Sequence, residues 1–266
     1  MYREMKKAIS ILMLLLLAAI PAEAVAKKKS STAKRTRVAT TTTTTTPSVV
    51  AGETKTYGDY LTTRVYKIRN GNSLISVEYP VEGNQQLVDA IRAWLKLNVA
   101  RKSDDAVDTP EALLKSGLST IDKGDEKTQV ITVKYTDDKV ITMLDDTVIN
   151  MGRPPMASLT GATFRLDDGL QLTGVMLPDI RSIRPFFNEE LAKSVKTTPE
   201  QLAGQLYVDP DEINYSENIY RNDKGVVVQF AEYELGPYTI GMPAVIIPVT
   251  EEFISAFSPE GRTFFE

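Results

Sequence analysis

Glu232 and Glu234 flank Tyr233, with Tyr238 close behind, in Phe-Ala-Glu-Tyr-Glu-Leu-Gly-Pro-Tyr-Thr-Ile-Gly, residues 230–241. Two carboxylates that faced each other across a cleft could act as the acid and base of a glycan hydrolase. The same tyrosines, each an apolar ring with a hydroxyl handle, suit recognition of a partner. Alternation along Val226, Val228 and Phe230 carries Glu232 and Glu234 toward one strand face, where a carboxylate must reach water or find donors. Turn construction accounts for every Gly and Pro of the stretch and for Glu234 least well. Glu232, Tyr233, Glu234 and Tyr238 are therefore the candidate binding residues.

Other acids are weaker candidates. Asp pairs occur at 104–105, 137–138, 145–146 and 167–168, and three of the four sit in or beside expected turns, where Asp bonds its own backbone. The stretch 209–218 gathers Asp209, Asp211, Glu212, Asn214 and Glu217, enough oxygen for calcium, but Ile213 and Asn214 break the EF-hand spacing. Ser31 and Lys34 match a Ser-Lys pair in a stretch where nothing would desolvate the lysine. The chain has no histidine and no cysteine, which excludes Ser-His-Asp and Cys-His catalysis, His-ligated zinc and disulfides. Phosphate-loop, dinucleotide and nucleophile-elbow motifs are absent as well. No catalytic residue, cofactor or metal is expected.

Hydrophobic periodicity predicts the elements that position these residues. Tyr60–Arg69 and Ser73–Val81 alternate around Asn70-Gly71 and read as a hairpin. Leu87, Val88, Ile91, Trp94, Leu95 and Val99 form a helical stripe, with Trp94 in the core rather than serving as a stacking platform. Thr109-Pro110-Glu111 starts a second helix. Strands follow over 128–135, 140–150, 156–166 and 170–175, then helices from about Arg184 and at Thr198-Pro199-Glu200. A strand over 226–234, a last strand over 244–248 and a short helix after Thr250 close the pattern. Such grouping predicts an α+β fold, antiparallel sheet with helices packed on one face.

The N-terminus carries an address. Arg3, Lys6 and Lys7 precede an apolar run from Ala8 to Ile20, followed by small residues at cleavage spacing around Ala24, the pattern of a secretory signal peptide over 1–26. The run is too short to span a bilayer, so no transmembrane helix is expected after cleavage. Residues 27–58 hold six basic residues between Lys27 and Arg37 and seven consecutive threonines, without apolar periodicity, and read as a disordered basic, Thr-rich tether. The remainder divides into an N-terminal hairpin-helix subdomain, 59–125, a C-terminal subdomain, 126–258, and a tail, 259–266. Val38–Glu266 carries 22 Lys and Arg against 33 Asp and Glu; this negative field disfavours nucleic acid and favours encounter with basic partners.

The run Phe230–Gly241 followed by Val245-Ile246-Ile247-Pro248 resembles the C-terminal signature of the RsiV-like ectodomain family. That family includes the lysozyme-sensing anti-sigma factor ectodomain and the accessory domain of peptidoglycan deacetylases. Asp167-Asp168-Gly169-Leu170-Gln171-Leu172 and Leu177-Pro178-Asp179-Ile180 extend the likeness. Tyr66–Leu97 is similar to the PdaC-like domain that usually precedes it. Gly152-Arg153-Pro154-Pro155 stands where members commonly have a Gly-Ala-His-Pro turn. Counterparts of the sigma-binding segment and of the zinc-dependent deacetylase domain are not expected here. The resemblance implies an exported, non-enzymatic binding domain of the bacterial cell envelope, secreted or periplasmic, that recognises a protein or glycan partner. A basic protein such as a lysozyme is one such partner, and a carboxylate-based hydrolase is the alternative.

Overall fold

The structure, a computed structural model, describes residues 47–100, 107–151 and 154–266. The expected signal peptide, most of the expected tether, the Asp104–Asp105 pair and Gly152-Arg153 lie outside these residues. The described chain is an α+β fold built on a six-stranded mixed sheet, its strands in chain order, and a three-stranded antiparallel sheet.

The large sheet comprises β1 (Val49–Tyr57), β2 (Leu61–Asn70), β3 (Ser73–Gly83), β4 (Glu126–Thr136), β5 (Val140–Asn150) and β6 (Met156–Arg165). The hairpin between β2 and β3 forms where alternation predicts it, with Gly71 at φ 58° in the loop. Three features depart from expectation. The stretch assigned to a tether ends in β1, which pairs antiparallel with β2; an edge strand is held by backbone bonds and needs no apolar alternation. The sheet is not purely antiparallel, because β3 and β4 pair in parallel over Leu74–Val77 and Thr128–Ile131. A parallel pair needs a long crossover, and the two helices between these strands provide it. Strand pairing thus runs unbroken across position 125.

Those helices are α1 (Gln85–Val99) and α2 (Pro110–Ser119). Asn84 Oδ1 accepts the N–H groups of Gln86 and Leu87, and Thr109 Oγ1 accepts that of Ala112 at 3.2 Å, so each helix starts on a side-chain cap. The stripe of α1 packs, with Leu113 and Leu114 of α2, on Ile75, Val77, Ile131, Met143 and Phe164 of the sheet. Trp94 is buried in this core.

A second core joins α3 (Arg184–Ser194) and α4 (Pro199–Leu202) to β7 (Ile219–Arg221), β8 (Gly225–Gln229) and β9 (Ala244–Pro248). Phe187 of α3 sits at its centre, edge-on to Phe230 and Tyr215. The chain then forms α5 (Glu251–Ala256) and α6 (Pro259–Arg262). The expected tail over 259–266 is part of the fold: Ser258 Oγ caps α6 through Gly261 N–H, and Phe264 is fully buried. Eight residues whose only aromatics are the adjacent Phe264 and Phe265 offer no periodicity to read, but they still close the core.

Burial has raised the pKa of five phenols, those of Tyr57, Tyr79, Tyr135, Tyr215 and Tyr220, with hydrogen bonds to Glu78 and Asp137 adding to the effect at Tyr57 and Tyr135. A raised phenol keeps its proton in the folded state, while the unfolded chain loses it near pH 10. Stability from this source is complete below about pH 10 and falls as pH rises beyond it. Above that pH, the ionisation of these five phenols and the loss of far-UV circular dichroism should occur together in one alkaline transition. Ionisation of these five that ran well ahead of unfolding would contradict this expectation.

Candidate functional site

The turn that follows β8 does not continue the strand. Pairing ends at Gln229 opposite Ala244, because Pro243 has no N–H to offer and its carbonyl is taken by Phe230 N–H at 2.9 Å. Glu232, Tyr233 and Glu234 therefore lie in a turn, and the expected strand over 226–234 stops five residues early.

Each carboxylate of the turn holds backbone. Glu234 N–H donates to Ala231 O at 3.2 Å, and Ala231 N–H donates back to Glu234 Oε2 at 2.7 Å, closing the turn from both sides. Glu232 Oε2 reaches across to β6 and accepts Ala157 N–H at 3.3 Å. This is one of a series of contacts along the outer edge of β6, which would otherwise present a row of unpaired groups. Asn218 takes the next positions: its Oδ1 accepts Gly161 N–H at 2.8 Å and its Nδ2 donates to Leu159 O at 2.5 Å. Leu172 N–H then donates to Thr163 O, and Arg165 N–H to Leu170 O, each at 2.9 Å. The edge is thus closed by one Glu, one Asn and the returning chain. Nothing in the sequence pattern signals the role of Asn218, because the groups it serves are backbone atoms distant in sequence.

The rings are presented outward. Tyr233 is 48% and Tyr238 40% exposed, with centroids 5.9 Å apart and planes tilted by 35°. Tyr233 has φ 65°, the left-handed region that favours glycine. Among the described residues Lys196 is the other non-glycine in that region, at φ 61°. Its cause is plain: Thr197 N–H donates to Ala192 O and Lys196 N–H to Lys193 O, a helix C-terminal motif ending α3. No helix end explains Tyr233. A third exposed tyrosine, Tyr207, is tied to the same turn by its N–H to Leu235 O at 2.8 Å. Gly236 lies so close to Gln205 O that a Cβ there would strike it. Among the described residues no hydrogen bond engages the hydroxyls of Tyr207, Tyr233 or Tyr238.

Three cavities among the described residues lie elsewhere. An open groove of about 560 Å³ is lined by Leu177, Pro178, Tyr215, Ser216 and Glu217 among others; Tyr215 donates its hydroxyl to Pro178 O, and Asp179 at the rim is paired with Arg181 at 2.9 Å. A cavity of about 380 Å³ is lined by Phe186 and Phe253 among others, and one of about 90 Å³ lies beside Lys127. Neither Glu232 nor Glu234 lines any of the three. Asp137 and Asp168 bond their own turns, as expected of Asp pairs, whereas Asp145 is buried in β5 between Gln129 Nε2 and Thr147 Oγ1. Asp209 caps a short 3-10 turn, and Asp211 binds Asn188. No group of three acids able to hold a metal ion occurs among the described residues.

The fold and site define a class: a helix-covered mixed sheet joined to a smaller antiparallel sheet whose final turn displays tyrosines. Residues 177–250, the stretch containing the small sheet and that turn, match the family model described as protein of unknown function, DUF3298. A solved structure described as a member of the DUF3298 family, from Bacteroides fragilis, aligns over 83% of this chain and 97% of its own with a TM-score of 0.57 at 14% identity. A DUF3298 family protein from Pseudomonas aeruginosa aligns over 81% and 95% with a TM-score of 0.48, also at 14% identity. The first likeness concerns the fold alone. No curated protein matches the chain.

Proposed function

We propose that this chain is an exported, non-enzymatic binding domain of the bacterial cell envelope, secreted or periplasmic, that recognises its partner, a protein or a glycan, through the turn 231–241. The carrying observation is that both acids of the turn are committed to backbone N–H groups while its tyrosine rings face water. A general acid and base need free carboxylates aimed at one substrate bond, whereas a recognition turn needs rigidity and exposed amphipathic rings. The signal-peptide pattern of residues 1–26 supports the location, and the resemblance to RsiV-like ectodomains supports binding at an envelope. The excess of acidic residues between Val38 and Glu266 supports a basic partner in the finer version, in which a lysozyme is bound.

Affinity capture from envelope extracts with the wild-type chain and with Tyr238→Ala tests the reading. A partner retained by the first and lost by the second supports it; turnover of an envelope glycan abolished by Glu234→Gln would replace it with the hydrolase alternative. For the finer version, titration with lysozyme should weaken as salt rises, because steering between opposite charges is screened. Affinity indifferent to salt, or no binding, removes that version.

A further inference from the structure

The geometry points to an uncharged polysaccharide as the ligand of the tyrosine pair Tyr233 and Tyr238, with Tyr207 exposed on the stretch bonded to their turn, an inference that rests on the binding reading above and narrows it to one class of partner. The first observation is backbone strain. A bulky residue held in the left-handed region without a helix end to require it is a cost the fold sustains. A Gly or Asn would make this turn more easily, so the tyrosine ring, and not the turn, accounts for the residue at position 233.

The second observation is the rigidity of the mount. Glu234 closes the turn on Ala231, Glu232 ties it to β6, Gly236 seats it on Gln205, and Leu235 O anchors Tyr207. Two separate stretches of chain are thereby tied together through their backbones, with the Tyr233 and Tyr238 ring centroids 5.9 Å apart and Tyr207 the most open of the three tyrosines at 63% exposure. Fixed aromatic rings bind with little loss of rotamer freedom.

The chemistry of the surface selects the ligand. Each ring offers an apolar π-face to the C–H face of a pyranose, and each hydroxyl is available to a sugar hydroxyl. Around the rings, Ala231, Glu234, Pro237, Thr239 and Gln205 are small or polar and exposed, with Val208 exposed beside Tyr207, so apolar and polar groups are interspersed, unlike the apolar core that a stable protein interface buries. Tyr233 and Tyr238 are 48% and 40% exposed, so the ligand lies along a surface. The surplus of acidic residues repels anionic polymers and leaves neutral chains unaffected.

The test uses the full chain, with cellohexaose, maltohexaose and the N-acetylglucosamine hexamer as soluble probes followed by calorimetry, and co-sedimentation with cellulose, starch and chitin. Wild type should bind at least one of these. Tyr233→Gly should weaken that binding by about tenfold or more, the equivalent of losing one ring contact, with an equal or higher Tm because the strain is relieved. Tyr238→Ala should weaken it similarly. Binding to none of the six, or binding unchanged in both variants, overturns the inference. If no glycan binds but lysozyme binds and is lost in Tyr233→Gly, the glycan assignment falls and the broader binding reading stands; if wild type binds neither glycan nor lysozyme and captures no envelope component, both fall.

Discussion

Glu78→Leu should destabilise the fold by about 3–5 kcal/mol, a large fraction of the stability of an ordinary domain. Glu78 is 1% exposed, on β3 just beyond the point where β3 and β4 stop pairing. It accepts from Thr63 Oγ1 at 2.7 Å, from Val133 N–H at 3.3 Å, from Lys55 Nζ at 3.3 Å and from the Tyr57 hydroxyl. The lysine side chain is more than a third exposed and can return to water, so its share is small. The buried donors cannot, and leaving each unpaired costs about 1–3 kcal/mol. Glu78→Gln keeps the size and one acceptor oxygen and should lose about half as much. Urea midpoints at unchanged m would measure both. A Leu variant within about 1 kcal/mol of wild type would show that water replaces the carboxylate.

Phe187→Ala should cost a comparable amount, about 3–5 kcal/mol, from lost burial and the cavity left behind. Phe187 is completely buried in α3, with ring centroids 5.8 Å from Tyr215 and 6.3 Å from Phe230. Phe230 is the last core residue before the tyrosine turn, so the loss should be felt there as well. Hydrogen exchange should rise first at the Ala231 and Glu234 amides that close the turn, before it rises in α1, whose core is separate. Uniform loss of protection across both cores would mean that the second core does not open on its own. Partner binding should fall with it under conditions where the chain remains mostly folded.

Much of this architecture was legible in the chain. The stripe from Leu87 to Val99 and the Thr109-Pro110 start gave α1 and α2, because an amphipathic helix and its cap are encoded within a few neighbouring residues. Alternation gave β2 through β6, and Gly-Pro punctuation gave β9. Missing from the sequence were β1, which is held by backbone bonds, β7, which is three residues long, and the parallel pairing of β3 with β4. Phe264, in a short polar terminus, gave no sign that it was core. At the site, the four residues singled out do sit together, but alternation carried on past Gln229 put the two acids on a strand face that does not exist.

Composition and local pattern by themselves determined that the chain lacks imidazole and thiol chemistry, that its main body is acidic, and that helices and strands are grouped as in an α+β fold. Those properties depend on residue identity and on neighbours within a turn or two. Tertiary structure decided what Glu232, Tyr233, Glu234 and Tyr238 do, because their partners lie outside that range: Ala157 is 75 residues from Glu232, and Pro243 across the sheet ends the strand. Two acids that composition allows to be catalytic are consumed as backbone ligands, and the tyrosines beside them are left facing solvent.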